Sequence, residues 1–126
     1  MKVVFVDDDN DLSVLFRHIA ESEGVETVVY TDGLKALRYL DTDQADIDVI
    51  LLDLSLPILD GLTIAEQIRL NEEIHPTRRP VDIAFITGCE VDATVQNVAD
   101  RVGVRKIYQK PYDLEKLIQE VKTWRT

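Results

Sequence analysis

Residues 49–61 read VILLDLSLPILDG, and this stretch decides the fold. Val49–Leu52 is an unbroken run of branched apolar side chains, the pattern of a short strand covered on both faces. An acid, Asp53, stands where the run stops. Beyond Gly61 the period changes. Leu62, Ala65 and Ile68 recur at helical spacing and form one apolar stripe.

The same strand, loop and helix recur on both sides. Val3–Val6, Val25–Tyr30, Val81–Ile86 and Val104–Tyr108 are the other apolar runs. The first, third and fourth runs are almost wholly apolar, which predicts central strands. Leu12, Leu15, Phe16 and Ile19 mark a first helix, which Gly24 closes in a left-handed conformation. Leu34, Leu37 and Leu40 mark a second, with Thr31 or Asp32 as its N-cap. Val91, Val95, Val98 and Val102 mark the fourth, ended by Gly103. Leu114, Leu117, Ile118 and Val121 mark the fifth, capped by Asp113. Asn71–Pro80 is the one long irregular connection expected. Strict alternation implies an α/β fold, a doubly wound (βα)5 sandwich with a parallel sheet, right-handed crossovers and helices on both faces.

Composition agrees with one folded domain over residues 1–126, with a radius of gyration of about 14 Å. Fourteen Lys and Arg against 24 Asp and Glu give a net charge of −10. A surface that negative repels phosphate backbones and anionic lipid, so no direct nucleic-acid or membrane contact is expected. The single cysteine, Cys89, excludes an internal disulfide and Cys-based zinc sites. The opening MKVVFV does not have the form of a signal peptide. A cytoplasmic protein is the expectation, and with no linker after the last helix a tethered output domain is not expected.

In open α/β sheets the working groups lie beyond the carboxyl ends of the strands. After the first run come Asp7, Asp8 and Asp9, after the third Asp53, after the fourth Thr87, and after the fifth Lys110 and Pro111. The second run offers no comparable group. In the strand order 3-2-1-4-5, Asp8 and Asp53 would be roughly 10 Å apart at the backbone. The order 2-1-3-4-5 makes their strands neighbours and gathers every candidate group in one crevice. It is therefore the order expected.

That crevice has an electrostatic problem. Two carboxylates 4 Å apart repel by about 4 kcal/mol at an effective dielectric near 20. Ionised Asp7, Asp8 and Asp53 carry −3, Lys110 supplies +1, and a divalent cation brings the sum to zero. Hard carboxylate oxygens select Mg²⁺ or a similar ion. A carboxylate, a metal, a Lys and a Thr hydroxyl suffice to receive a phosphoryl group: the carboxylate attacks in line and the others neutralise the equatorial oxygens.

VVFVDDDNDL, VILLDLSLPILDG, FITG and QKPYDL together resemble the signature segments of response regulator receiver domains of two-component signalling, the CheY-like family. The resemblance runs from Met1 to the last helix. It implies a flavodoxin-like fold and a phosphorelay switch rather than an enzyme, with at most weak autophosphorylation and autodephosphorylation. It implies Asp53 as phosphoacceptor. It implies Mg²⁺ held by Asp8 and Asp53 directly, by Asp7 through water, and by the backbone carbonyl of Ser55. Lys110 would pair with Asp53 and then with the phosphoryl group, Thr87 would swing toward a phosphoryl oxygen, and Lys110–Pro111 would be cis. Asp60–Gly61 would turn the chain into the third helix, with Gly sparing the Cβ penalty. The implied partners are a histidine kinase or phosphotransfer protein and a downstream protein, for a monomer or a phosphorylation-dependent dimer. The output surface would be the fourth helix, fifth strand and fifth helix, where Arg101, Arg105, Lys106 and Gln109 make a basic patch.

The chain departs from the family's pattern at one place. Three positions before Lys110 the usual aromatic is replaced by Ile107, and strand alternation sends Tyr108 to the opposite face. Ser55 and Cys89 occupy places that in the family modulate dephosphorylation. Their small side chains leave a path for water, which predicts a moderately short-lived phosphoryl group.

Two rival readings use the same residues. An aspartate-nucleophile phosphatase of the haloacid dehalogenase type needs a second Asp two residues after the nucleophile, where this chain has Ser55, and places its acidic pair last. A degenerate receiver acting only as an interaction module would not need the complete acid, Thr and Lys set. The remaining polar residues have structural readings. Asp9 and Asp11 meet the dipole of the first helix. His18, His75, Arg78 and Arg79 are solvated, Cys89 is a small buried filler, and Trp124 packs at the end of the last helix or against a neighbour.

Overall fold

Strands and helices alternate along the chain: β1 (Lys2–Val6), α1 (Asn10–Ser22), β2 (Glu26–Tyr30), α2 (Gly33–Leu40), β3 (Val49–Asp53), α3 (Gly61–Ile74), β4 (Asp82–Thr87), α4 (Ala93–Val102), β5 (Lys106–Gln109) and α5 (Leu114–Lys122). A 3-10 turn, Thr123–Arg125, follows. This computed structural model describes residues 1–41, 46–56, 59–75 and 79–125. Pro57 of the quoted motif and Arg78 lie outside the described residues.

The sheet is parallel throughout, in the order β2-β1-β3-β4-β5. Period-2 alternation divides its side chains between two cores. Val4, Val6, Ile50, Leu52, Ile83 and Phe85 face α2, α3 and α4. Val3, Phe5, Val49, Leu51, Ala84 and Ile86 face α1 and α5, where the Phe5 and Phe16 rings stack at 4.2 Å. The central strands are buried on both faces and edge strand β2 is only half-buried, as the apolar runs predict. The fold class is therefore the flavodoxin-like (βα)5 sandwich expected.

Helix starts follow their caps. Asp9, Asp32, Asp60, Asp92 and Asp113 each accept a hydrogen bond from a first-turn N–H. Gly24 and Gly103 have φ of 77° and 70°, where a Cβ would be strained.

The structure corrects several expectations from spacing. Leu15 is 48% exposed, and Ser13 and Ala20 line the buried face of α1 with Phe16. The buried stripe is set by where the sheet lies, which hydrophobicity alone does not report. Val91 lies outside α4, because Asp92 caps that helix and starts it at Ala93. Asn71–Ile74 are the last turn of α3, so the irregular connection begins only at His75. Arg69 and Glu72 explain the longer helix. The Arg69 guanidinium donates to the carbonyls of Val102 and Val81, and Glu72 accepts from the Val81 N–H at 2.7 Å. Tertiary contacts thus hold a turn whose apolar periodicity has faded.

Candidate functional site

The register brings the strand ends to one edge. Val6 pairs with Leu52, Asp53 with Ile86, and Thr87 with Gln109. Asp7 and Asp8 therefore emerge beside Asp53, and Lys110 emerges beside Thr87. The Lys110 N–H donates to the Thr87 carbonyl at 2.7 Å, and the Lys110–Pro111 bond is cis. Asp7 and Asp53 are fully buried while Asp8 is exposed. One carboxylate oxygen from each lies within 4.8 Å of the others.

The ammonium of Lys110 sits between the two buried acids, 3.0 Å from Asp53 Oδ2 and 3.1 Å from Asp7 Oδ2. The other oxygens meet backbone donors. Asp53 Oδ1 accepts from the Ser55 N–H at 2.8 Å, and Asp7 Oδ1 from the Asp9 N–H at 2.9 Å. Burial would lower the Lys110 pKa, but Asp53 and Asp7 outweigh it and hold the ammonium charged. Burial pushes the Asp7 carboxyl above its ordinary range, and the Asp53 charge pushes the same way against the Asp9 N–H and Lys110.

Three carboxylates against one ammonium leave two negative charges in excess when all are ionised. Among the described residues, Asp7 Oδ2 is also buried without a hydrogen bond, its contact with Lys110 being an ion pair. Excess negative charge, hard oxygens and a buried carboxylate oxygen without a hydrogen bond fit a small divalent cation such as Mg²⁺.

Gly61 closes the site from below, for a different reason than the turn argument gives. Its backbone is ordinary, but a Cβ there would stand 2.5 Å from the Asp53 carbonyl oxygen. Only Gly lets the first residue of α3 pass so near the end of β3.

The response regulator receiver domain family matches residues 3–122. The chain belongs to that family. This receiver domain is thus the signalling module of a two-component response regulator, in a family that is not one of conventional enzymes. It is 30% identical over 120 residues to sensory transduction protein RegX3 of Mycobacterium tuberculosis, covering 95% of this chain and 48% of that protein. It is likewise 30% identical over 121 residues to transcriptional regulatory protein CpxR of Escherichia coli, covering 96% of this chain and 47% of that protein. The chain therefore spans about half the length of the curated relatives it matches. Among solved structures, it is similar to the Saccharomyces cerevisiae receiver domain of Ssk1, crystallised with the histidine phosphotransfer protein Ypd1, with a TM-score of 0.85, 21% identity and coverage of 98% and 88%. It is also similar to the response regulatory domain of mrkE from Klebsiella pneumoniae, with a TM-score of 0.76, 26% identity and coverage of 98% and 93%.

Asp7, Asp8, Asp53, Ser55, Thr87 and Lys110 all stand at this edge of the receiver domain. The Thr87 hydroxyl is turned to its own loop: it donates to the Cys89 carbonyl at 3.3 Å and accepts from the Cys89 N–H at 3.1 Å. Cys89 itself is exposed, which overturns its reading as a buried filler, because the loop after β4 carries it out of the sheet. Ile107 packs on the α2/α3/α4 side and Tyr108 on the α1/α5 side, as alternation requires.

The basic patch is neutralised where it stands. Arg101 pairs with Glu66 at 2.9 Å, Arg105 with Asp82 at 3.6 Å, and Lys106 with Glu120 at 2.6 Å. Each acid comes from a different element, so one-dimensional charge counting does not find the pairing. Trp124 packs against the α1/α5 core with the Arg105 guanidinium over its ring at 5.0 Å. Sequence reasoning also passes over Tyr112. Its ring packs against the α1/α5 core, and its buried hydroxyl has no hydrogen-bond partner among the described residues. Its place two residues after Lys110 was the available signal.

Proposed function

We propose that this receiver domain is a phosphorylation switch in which Asp53 takes a phosphoryl group from a phosphohistidine of a histidine kinase or phosphotransfer protein. One observation supports this most. Asp53 and Asp7, both buried, face a single Lys110 ammonium, with the Asp8 carboxylate close enough to share an ion. Asp8 and Asp53 would hold Mg²⁺ directly, Asp7 through water, and Ser55 through its backbone carbonyl. When bound, the ion supplies positive charge to the crowded oxygens of the transferring group.

Asp53 is the nucleophile. Its oxygen bonds to phosphorus as the phosphorus–nitrogen bond of the donor breaks, and the imidazole keeps the electron pair and takes up a proton. Lys110 is already within hydrogen-bond distance of Asp53 and follows the negative charge onto the phosphoryl oxygens. Thr87 leaves its two contacts with Cys89 and donates to a phosphoryl oxygen. Because Thr87 is paired to β5 through Gln109, this movement alters the α4–β5–α5 surface and with it partner binding. Ser55 and Cys89 are both exposed beside the site and leave water a route to the acyl phosphate, so the phosphoryl group is moderately short-lived. The protein works in the cytoplasm.

Incubation with a small phosphodonor and Mg²⁺, followed by intact-mass analysis, tests the reading. The expected result is one added phosphoryl group, lost in Asp53→Asn. No added mass points instead to a pure interaction module. Enzyme-like turnover of a generic phosphate ester points to a phosphatase. A phosphoryl half-life of many hours contradicts the short lifetime. Charge reversal at Arg105 and Lys106 without any change in partner affinity removes the output surface.

A further inference from the structure

Near the phosphoacceptor two buried polar atoms make no hydrogen bond among the described residues: Asp7 Oδ2, which has the Lys110 ammonium beside it as an ion pair, and the Tyr112 hydroxyl. One only accepts hydrogen bonds while ionised, and the other can donate one. An unsatisfied buried polar group is costly, so two complementary ones in one region call for an explanation. Their placement agrees. Tyr112 lies two residues beyond Lys110, whose ammonium is 3.1 Å from Asp7 Oδ2. The ladder between β1 and β2 continues one bond past β1, from the Asp7 N–H to the Tyr30 carbonyl, so Asp7 keeps the strand's alternation. Alternation after Val6 puts Asp7 on the α1/α5 side of the sheet, the side against which Tyr112 packs.

We infer that Tyr112 is a further positioning residue of the site: its hydroxyl donates, through one water molecule, to the Asp7 oxygen beside the Lys110 ammonium and orients that carboxylate toward the ion. The two atoms make no direct hydrogen bond, and a single shared water satisfies both. Consistent with this, the Tyr112 hydroxyl is pushed to a higher pKa, first by its burial and then by the Asp7 charge. The ring fills the α1/α5 core as any aromatic would. The hydroxyl is what a Phe would lack.

This inference rests on the reading of the site as a Mg²⁺ site, and the test separates the two. Mg²⁺ would be titrated by calorimetry into metal-free wild type, Tyr112→Phe and, as a control at the neighbouring ring, Tyr108→Phe. Near-ultraviolet tyrosine absorption would be recorded in parallel. Orienting groups behind metal ligands typically contribute about tenfold or more in affinity. Tyr112→Phe should therefore bind Mg²⁺ about tenfold more weakly. It should also lose most of the Mg²⁺-dependent tyrosine difference signal, which Tyr108→Phe keeps. Equal Mg²⁺ affinity in wild type and Tyr112→Phe overturns this inference alone. Failure of wild type to bind Mg²⁺ overturns the reading of the site and this inference with it.

Discussion

The two ends of the sheet are built from the same residue types and do opposite things. At the amino end, Asp48 and Asp82 are matched by a backbone N–H and two arginines. Asp48 accepts from the Lys2 N–H at 2.8 Å. Asp82 lies 3.1 Å from Arg125 and 3.6 Å from Arg105. Arg125, almost wholly buried, also donates to the carbonyls of Asp48 and Pro80. At the carboxyl end, Asp7, Asp8 and Asp53 share one Lys110. One end is a structural network with two acids against two arginines. The other is left short of positive charge, and that deficit is what an incoming cation and phosphoryl group can use.

The sharpest way to break the comparison is Asp53→Asn. It should abolish phosphoryl acceptance while leaving the metal-free protein as stable as wild type or more so, because it relieves like-charge repulsion. Intact mass and thermal melting read the two effects. Lys110→Ala should be the most destabilising change at the carboxyl end, costing about 3 kcal/mol without metal because two buried acids lose the cation that pairs both of them. Added Mg²⁺ should recover part of that loss in urea titrations.

Arg125→Ala tests the other end. It should cost about 2 kcal/mol by urea titration, from two hydrogen bonds and an ion pair, and leave phosphoryl acceptance untouched. A loss of acceptance without a loss of stability would show that the two ends are not separate in role.

The smallest effect is a pH dependence of unusual sign. Asp7 is raised above its ordinary 3.8, chiefly by burial, so the folded protein binds that proton more readily than the unfolded chain. Its contribution to stability is present at acid pH and is lost as pH rises through the folded value. The stability of wild type minus that of Asp7→Asn should therefore fall with rising pH in metal-free buffer, and fall less with excess Mg²⁺. A paired acid behaves oppositely. Glu120, held low by Lys106 and then Tyr108, stabilises above its ordinary 4.5 and loses that contribution as pH falls.

Much of this was legible in one dimension. Val49–Leu52 announced a central strand because a segment buried on both faces has no polar side, and Asp53 announced a site because ionised acids at such an end are costly without a purpose. The strand order followed from bringing Asp8, Asp53, Thr87 and Lys110 together. Leu15 and Val91 were misread because both are apolar at helical spacing, yet spacing does not say where a neighbour lies or where a cap starts the helix. Arg101, Arg105 and Lys106 looked like a patch because their acidic partners, Glu66, Asp82 and Glu120, are far away along the chain.

By itself the amino-acid order determined the alternation of elements, the cap of the fifth helix and the set of groups at the strand ends, since all of these follow from local period and local hydrogen bonding. Only the tertiary structure decided which charges are paired. It turned the Thr87 hydroxyl to Cys89, set Asp7 Oδ2 against Lys110, buried the Tyr112 hydroxyl on the same side of the sheet, and enclosed Arg125 at the far end. The reason is physical: charges and hydrogen bonds act over a few ångströms of space, and that proximity is created only when residues separated along the chain are packed together.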